Sequence, residues 1–390
     1  MHKPISSVYG KINRMLLTFP NTSVLPDDIV LQRYKGIFES LDKNVHYVIL
    51  ADKNVHTSIR QSALRSGLDP EYNLTLINAT SMYPAYVTQI IRRIRDNVYE
   101  CELESGWHSI WAQDGYSCIK KEDGTTVLLE SLDFTRGGDH FVADQIAAET
   151  DLEIEVTKYH IEGGNILAGD NYLIIGKDYL HLNEEITGEN QEKITNEFKK
   201  LFGVEHVIWL GFDEPVDFPI DVFQGEFQPI FHIDMYVTLG GKADNGKELV
   251  FIADVKMAKN VLEEDMPPTE ISESLDRTAQ WLAEYNIDGL SFEVKRIPID
   301  LWDLNGSTGT FLTYNNCLIE VFEGTKNVYL PAYSSVAPGS INRRKLDEAV
   351  ANIFSNNGFT VKLLEGAYEE LCKRGGSLHC ITKDLDRLNL

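Results

Sequence analysis

The chain has 390 residues, 43% of them apolar and 25% charged, the balance of a globular protein with a substantial core. Its net charge of −24 has the wrong sign for a phosphate backbone and disfavours nucleic acid as a partner. No apolar run reaches the ~18 residues needed to cross a bilayer, and residues 15–19 (MLLTF) are too few for a secretory leader, so no membrane partner and a cytoplasmic location are expected.

In chain order, residues 45–52 (VHYVILAD) read as a buried strand and 58–67 as a helix closed by Gly67. The apolar spacing of 85–98 reads as a helix. Residues 125–134 read as a strand running toward a turn at Gly137 and Gly138, and 140–151 as a helix. Residues 165–176 read as a hairpin turning at Gly169, Asp170 and Asn171. A helix is expected over 185–202, and strands over 231–240 and 248–255. Residues 269–286 read as a helix opened by Thr269, Ser272 and Ser274. Paired strands are expected over 310–321 and 327–333, then a helix over 342–358 ending at Gly358, and SLHCITKDL near the end of the chain. No low-complexity linker divides the chain, so residues 1–390 are read as one domain. A strand pair, a helix and a glycine-bounded strand recur roughly every 60 to 70 residues, a spacing compatible with propeller-like blades. A doubly wound parallel sheet is the competing architecture, but no GxGxxG or Walker A sequence opens a strand–helix pair.

The five cysteines are Cys101, Cys118, Cys317, Cys372 and Cys380, with no CxxC pair to suggest structural zinc or a thioredoxin-like motif. Free thiols in a reducing compartment are the simplest account, most of them buried fillers. Cys380 stands apart because Gly375 and Gly376 precede it, allowing close backbone approach.

Three earlier segments complete a set with it: WAQD ending at Asp114, EGGN beginning at Glu162, and HID from His232 to Asp234; TYNN, ending at Asn316, adds a further candidate. Their chemistry suits a guanidinium, a planar cation whose carbon is a poor electrophile. Paired carboxylates match the fork of N–H donors, a thiolate is a strong nucleophile, and a histidine can protonate departing ammonia and then activate water. Cys380 is the candidate nucleophile and His232 the candidate acid and base. Asp234, two residues on, shares the His232 face if the segment is a strand, although that spacing also fits a metal pair. Asp114 follows Trp111, expected to pack against the site, but a turn aspartate is the plainer reading. Glu162 can orient His232 or hold a substrate nitrogen, or be a surface charge before a glycine turn. Asn316 can bond substrate or position a loop, and a strand-end asparagine is an equal alternative. His379 is read as a packing residue.

Together WAQDGY (111–116), IEGGN (161–165), HIDMYVTL (232–239), TYNNCLIE (313–320), VYLPAY (328–333) and GGSLHCIT (375–382) resemble the guanidino-group-modifying, or pentein, superfamily. The likeness is to its agmatine deiminase and bacterial peptidyl-arginine deiminase branch, from about residue 105 onward. The resemblance implies a five-bladed pseudo-symmetric α/β propeller. It implies a deiminase that turns a guanidino group of agmatine, or of free or peptidyl arginine, into a ureido group, through a covalent amidino-thioether on Cys380. Asp114 and Asp234 would grip the guanidinium, His232 would be acid and base, and Glu162 would support it. Asn316 falls where the peptidyl-arginine branch has a site asparagine. No cofactor or metal is implied, and a homo-oligomer is compatible with the family. An amidinotransferase with the same core, or a non-catalytic binding protein of this fold, are the alternatives.

Overall fold

Runs of β-branched and aromatic residues such as His46–Ala51 are buried along nearly their whole length, the pattern of strands covered on both faces. In the computed structural model they enter an α/β assembly of mixed sheets. The structure describes residues 2–20, 27–79, 88–94, 97–103, 108–132, 137–216, 225–264, 270–304, 307–334, 341–366 and 368–388.

Five sheets share one plan: an antiparallel pair, with a further strand returning parallel after a helical connection. Tyr116–Lys120 pairs antiparallel with Thr126–Ser131, which pairs parallel with Glu153–Thr157. Ile166–Ala168, Tyr172–Gly176 and His206–Leu210 repeat the plan. So do Val237–Lys242, Glu248–Asp254 and Leu290–Leu304, and Leu318–Phe322, Thr325–Pro331 and Thr360–Leu364. In the fifth sheet the last strand, Lys383–Leu388, pairs antiparallel with Lys11–Thr18, which is followed in parallel by His46–Ala51 and Leu74–Asn78.

Local chemistry sets the turns. Phe322 and Thr325 pair across Glu323 and Gly324, both at positive φ (50° and 76°), a two-residue loop whose twist matches the strands. Asn190 caps Gln191–Phe202 by accepting from Lys193 N (3.0 Å), and Gly203 closes that helix in the left-handed region.

Several expectations change. Within the segment 85–98 read as a helix, residues 88–94 form a strand paired antiparallel with 97–103, and 85–87 and 95–96 lie outside the described residues. Its dense Ile, Val and Thr content favours strands over the helix its spacing suggested. The helix read over 185–202 is two, Lys177–Thr187 and Gln191–Phe202, broken where Gly188 takes a positive φ. The strand read over 231–240 begins only at Val237, because Ile233–Met235 is a 3₁₀ turn. His232 and Asp234 therefore do not share a strand face. The segment 310–321 also breaks: Ser307–Thr313 pairs back onto Leu290–Leu304, while Leu318 begins a new sheet. The helix expected from Thr269 runs over Glu270–Glu284, and Thr269 lies outside the described residues.

These breaks place the chemistry. Asp114, Asn165, Asp234, Asn316 and Cys380 each lie a few residues before the first strand of one of the five sheets. Five different sheets thus deliver one short polar segment each. Behind them the core is aromatic-rich, with Tyr47, Tyr236, Tyr314 and Tyr333 fully buried.

Candidate active site

Backbone hydrogen bonds sew four of the five segments together before any side chain is considered. Gln113 N donates to Cys380 O (3.1 Å), and Gly163 N donates to Asp114 O (3.0 Å). His379 N donates to Asn316 O (3.3 Å). Asn165 adds a side-chain tie: its Oδ1 accepts from Ile233 N and from Gln228 Nε2, each at 3.0 Å. The EGGN turn is therefore docked on the HID turn, and the glycines permit it. A Cβ on Gly164 would lie 2.4 Å from His232 Nδ1, and one on Gly163 would lie 1.9 Å from Gln113 O.

Cys380 is buried and clasped by Asn316. The asparagine accepts from Cys380 N (3.1 Å) and donates through Nδ2 to Cys380 Sγ (3.0 Å). Asp234 Oδ2 lies 3.6 Å from the same sulfur and 2.8 Å from His379 Nδ1. Asp234 Oδ1 is buried and accepts no hydrogen bond among the described residues, so one carboxylate oxygen is held by protein and the other is open. Trp111 packs on the glycine before the nucleophile: a Cβ on Gly376 would lie 2.4 Å from the indole and 3.1 Å from Cys380 Cβ.

His232 faces three acids. Its Nε2 is 3.2 Å from Glu162 Oε1, and its Nδ1 is 4.0 Å from Asp114 Oδ1. Burial alone would depress its pKa, but Glu162 above all, then Asp114 and Asp234, outweigh burial and hold it up at about 9. Tyr179 donates to Glu162 and sits 3.4 Å from His232 Nε2. Phe231 lies against the imidazole, ring centres 4.2 Å apart. Asp114, Glu162 and His232 present ligand atoms within 4.8 Å of one another, a spacing a cation could bridge. The same closeness to the carboxylates favours the protonated imidazole.

The Cys380 thiol is pushed well above its usual range by burial first, then by Asp234 and Asp114, with Asn316 opposing. In the free protein the sulfur is therefore a thiol and His232 an imidazolium. A planar cation between Asp114 and Asp234 would cancel the charges that hold the thiol proton in place. The arrangement can thus make its nucleophile when a guanidinium arrives.

The seven residues expected from sequence, Trp111, Asp114, Glu162, His232, Asp234, Asn316 and Cys380, line one region. Three others were missed. His379 was read as packing, yet its ring holds Asp234; its place beside Cys380 was the available signal. Tyr179 opens no motif and reaches Glu162 only because Lys177–Thr187 packs behind the EGGN turn. Lys383 is a buried amino group, its pKa lowered by burial, that donates to Gln113 O (3.1 Å) three residues past Cys380. Cys118, Cys317 and Cys372 are buried free thiols, as expected of fillers.

The family model of Porphyromonas-type peptidyl-arginine deiminases matches residues 14–385. The fold is similar to that of an agmatine deiminase from C. jejuni, 16% identical, with a TM-score of 0.62 over 100% of this chain and 98% of that one. An Enterococcus faecalis agmatine deiminase is similar at 15% identity, with a TM-score of 0.64 over 99% and 96% of the two chains. No curated protein sequence matches.

Proposed function

We propose, from the premise that this chain belongs to the Porphyromonas-type peptidyl-arginine deiminase family, that it is an enzyme converting a guanidino group to a ureido group with release of ammonia, and that Cys380 carries the reaction. The observation that supports this most is the clasp on the nucleophile: Asn316 Nδ2 lies 3.0 Å from Cys380 Sγ, and Asp234 Oδ2 lies 3.6 Å from it. A filler cysteine needs neither partner.

In this reading Asp114 and the open oxygen of Asp234 hold the guanidinium N–H donors. The bound cation lowers the thiol pKa, the thiol proton passes to solvent, and the thiolate attacks the guanidinium carbon. The His232 imidazolium gives its proton to the departing nitrogen, which leaves as ammonia. The neutral imidazole then takes a proton from water, which adds to the carbon and breaks the C–S bond. Glu162, oriented by Tyr179, keeps His232 in place for both steps. His379 holds Asp234. We read the five mixed sheets as five blades about one axis, and residues 1–390 as one catalytic domain. The substrate class is an alkyl guanidinium with a free terminus, such as agmatine, which names the structural neighbours, or the arginine side chain, which names the family.

The test incubates purified protein with agmatine, free arginine and an arginine-containing peptide in turn, following ureido product and ammonia together. Both products are expected from one substrate and from none with Cys380→Ala. Turnover by Cys380→Ala at the wild-type rate would remove the covalent mechanism, and product only in the presence of an added amine would make the protein an amidinotransferase.

A further inference from the structure

A covalent hydrolysis of this kind has a traffic problem. After the first step ammonia must leave and water must arrive, while the substrate's own alkyl tail fills the entrance by which it came. The small molecules need another way.

The structure holds a small cavity of about 40 Å³ bordering the site, its lining part polar and part apolar. Its inner end is Gln113, Gly163 and His379, the chain neighbours of Asp114, Glu162 and Cys380. Its wall includes Ser7, Ser117 and Lys383. Among the described residues Lys383 Nζ donates one hydrogen bond, to Gln113 O, and stands 5.5 Å from the centre of the Tyr116 ring. A buried amino group with donor capacity to spare favours water beside it, and the volume suffices for a few molecules at roughly 10–15 Å³ each. Pro4, Ile5 and Ser6 line this cavity and also a second, much larger one of about 880 Å³. The larger cavity opens among the hairpin turns around Glu122, Asp170 and Glu323. Those turns lie at the far ends of the strands that the site segments begin.

From this adjacency of the two cavities across Pro4–Ser6 we infer that a hydrated rear passage, running from Gln113 and His379 past Ser117 and Lys383 to Ile5, exchanges ammonia for water while substrate is bound to Cys380. The inference rests on the deiminase reading above. In the first step the C–N bond to the terminal nitrogen breaks and that nitrogen leaves as NH₃ with the proton from His232, leaving an amidino-thioether. In the second, water enters from behind, gives one proton to His232, adds to the carbon, and the C–S bond breaks to return the thiol and the ureido product. Lys383 anchors the water column and takes no part in bond making.

The test narrows the passage at two places, with Ser117→Leu in the wall and Ile5→Phe where the two cavities adjoin. Both variants are checked for a wild-type circular dichroism spectrum and for stoichiometric Cys380 labelling by 2-chloroacetamidine. Acid-quenched steady-state samples are then weighed by mass spectrometry. The expected result is a fall in kcat of about tenfold or more, with kcat/KM changed much less, and accumulation of the substrate-minus-ammonia adduct on Cys380. Two folded variants with the wild-type kcat and adduct fraction would overturn the passage, as would a lower kcat with no added adduct. Absence of adduct and ureido product in the wild-type protein would instead refute the deiminase reading itself.

Discussion

Cys380 is a poor nucleophile by itself, because of its burial first and its two acidic neighbours next. Burial, Asp234 and Asp114 together hold the thiol proton on. Removing one negative charge should let the thiolate form more easily. With Asp114→Asn, the pH midpoint of Cys380 alkylation by neutral chloroacetamide should fall, while the advantage of the cationic 2-chloroacetamidine over that probe should shrink about tenfold. An unchanged midpoint, measured by labelling rate against pH, would mean that Asp114 does not sense the sulfur. His232 carries the opposite kind of shift. Its folded pKa of about 9 lies above the unfolded value near 6.5, so its contribution to stability is fully present below about 6.5 and is lost as pH rises through 9. That contribution is at most about 3 kcal/mol. The gap in Tm between wild type and His232→Gln should therefore narrow from pH 6.5 to pH 9.5, and a gap independent of pH would show that the imidazole is not held charged.

At the scale of elements, the side chains of the candidate site sit on turns, and turns are where local sequence pattern says least about geometry. The motifs themselves were legible: Asp114, Glu162, His232, Asp234, Asn316 and Cys380 stand beside glycines or at the ends of apolar runs. Their local geometry was not. HID read as a strand because Val237 to Gly240 continue it with apolar residues, yet Asn165, sixty-eight positions away from Ile233, accepts the Ile233 N–H and makes the 3₁₀ turn. No local pattern announces such a partner. Strands at the sheet edges, such as Glu153–Thr157 and Thr360–Leu364, also went unread: each is five residues long and only its last residue is buried. The EGGN turn offers a test of this element-level docking. Gly164→Ala puts a methyl group 2.4 Å from His232 Nδ1 and 3.1 Å from Asp114 Oδ1, so the imidazole must move. Turnover should fall by at least a hundredfold, with Tm lowered by only a few degrees and 2-chloroacetamidine still labelling Cys380. Near-normal kcat in Gly164→Ala would mean that His232 has room to spare and that the close fit is not needed.

Across the whole molecule, the site exists only when the two ends of the chain meet. The nucleophile immediately precedes Lys383–Leu388, and that strand's partner is Lys11–Thr18. The pairing is irregular: the register shifts between Ile12 and Arg14, which leaves the Ile12 N–H to be satisfied from elsewhere. Glu320, on a different sheet, supplies the acceptor. Its buried carboxylate takes hydrogen bonds from Ile12 N (2.8 Å) through one oxygen and from Tyr329 Oη (2.7 Å) through the other. Arg387 reinforces the same junction by donating to Ile319 O (2.7 Å) and Gly10 O (3.3 Å). Glu320 touches none of the groups assigned to chemistry, so its loss should act on stability alone. Glu320→Ala would leave a buried N–H and a buried hydroxyl unpaired, at a cost of about 2–4 kcal/mol. Glu320→Gln keeps an acceptor for Ile12 N and should cost less than half of that. Thermal unfolding of the three proteins should rank wild type, Gln and Ala in falling Tm, while kcat at 25 °C stays within about twofold for any protein still folded. If Glu320→Ala melted like wild type, the two sheets would be held together by packing alone; if it lost kcat while remaining folded, the junction would be shaping the nucleophile segment as well as closing the molecule.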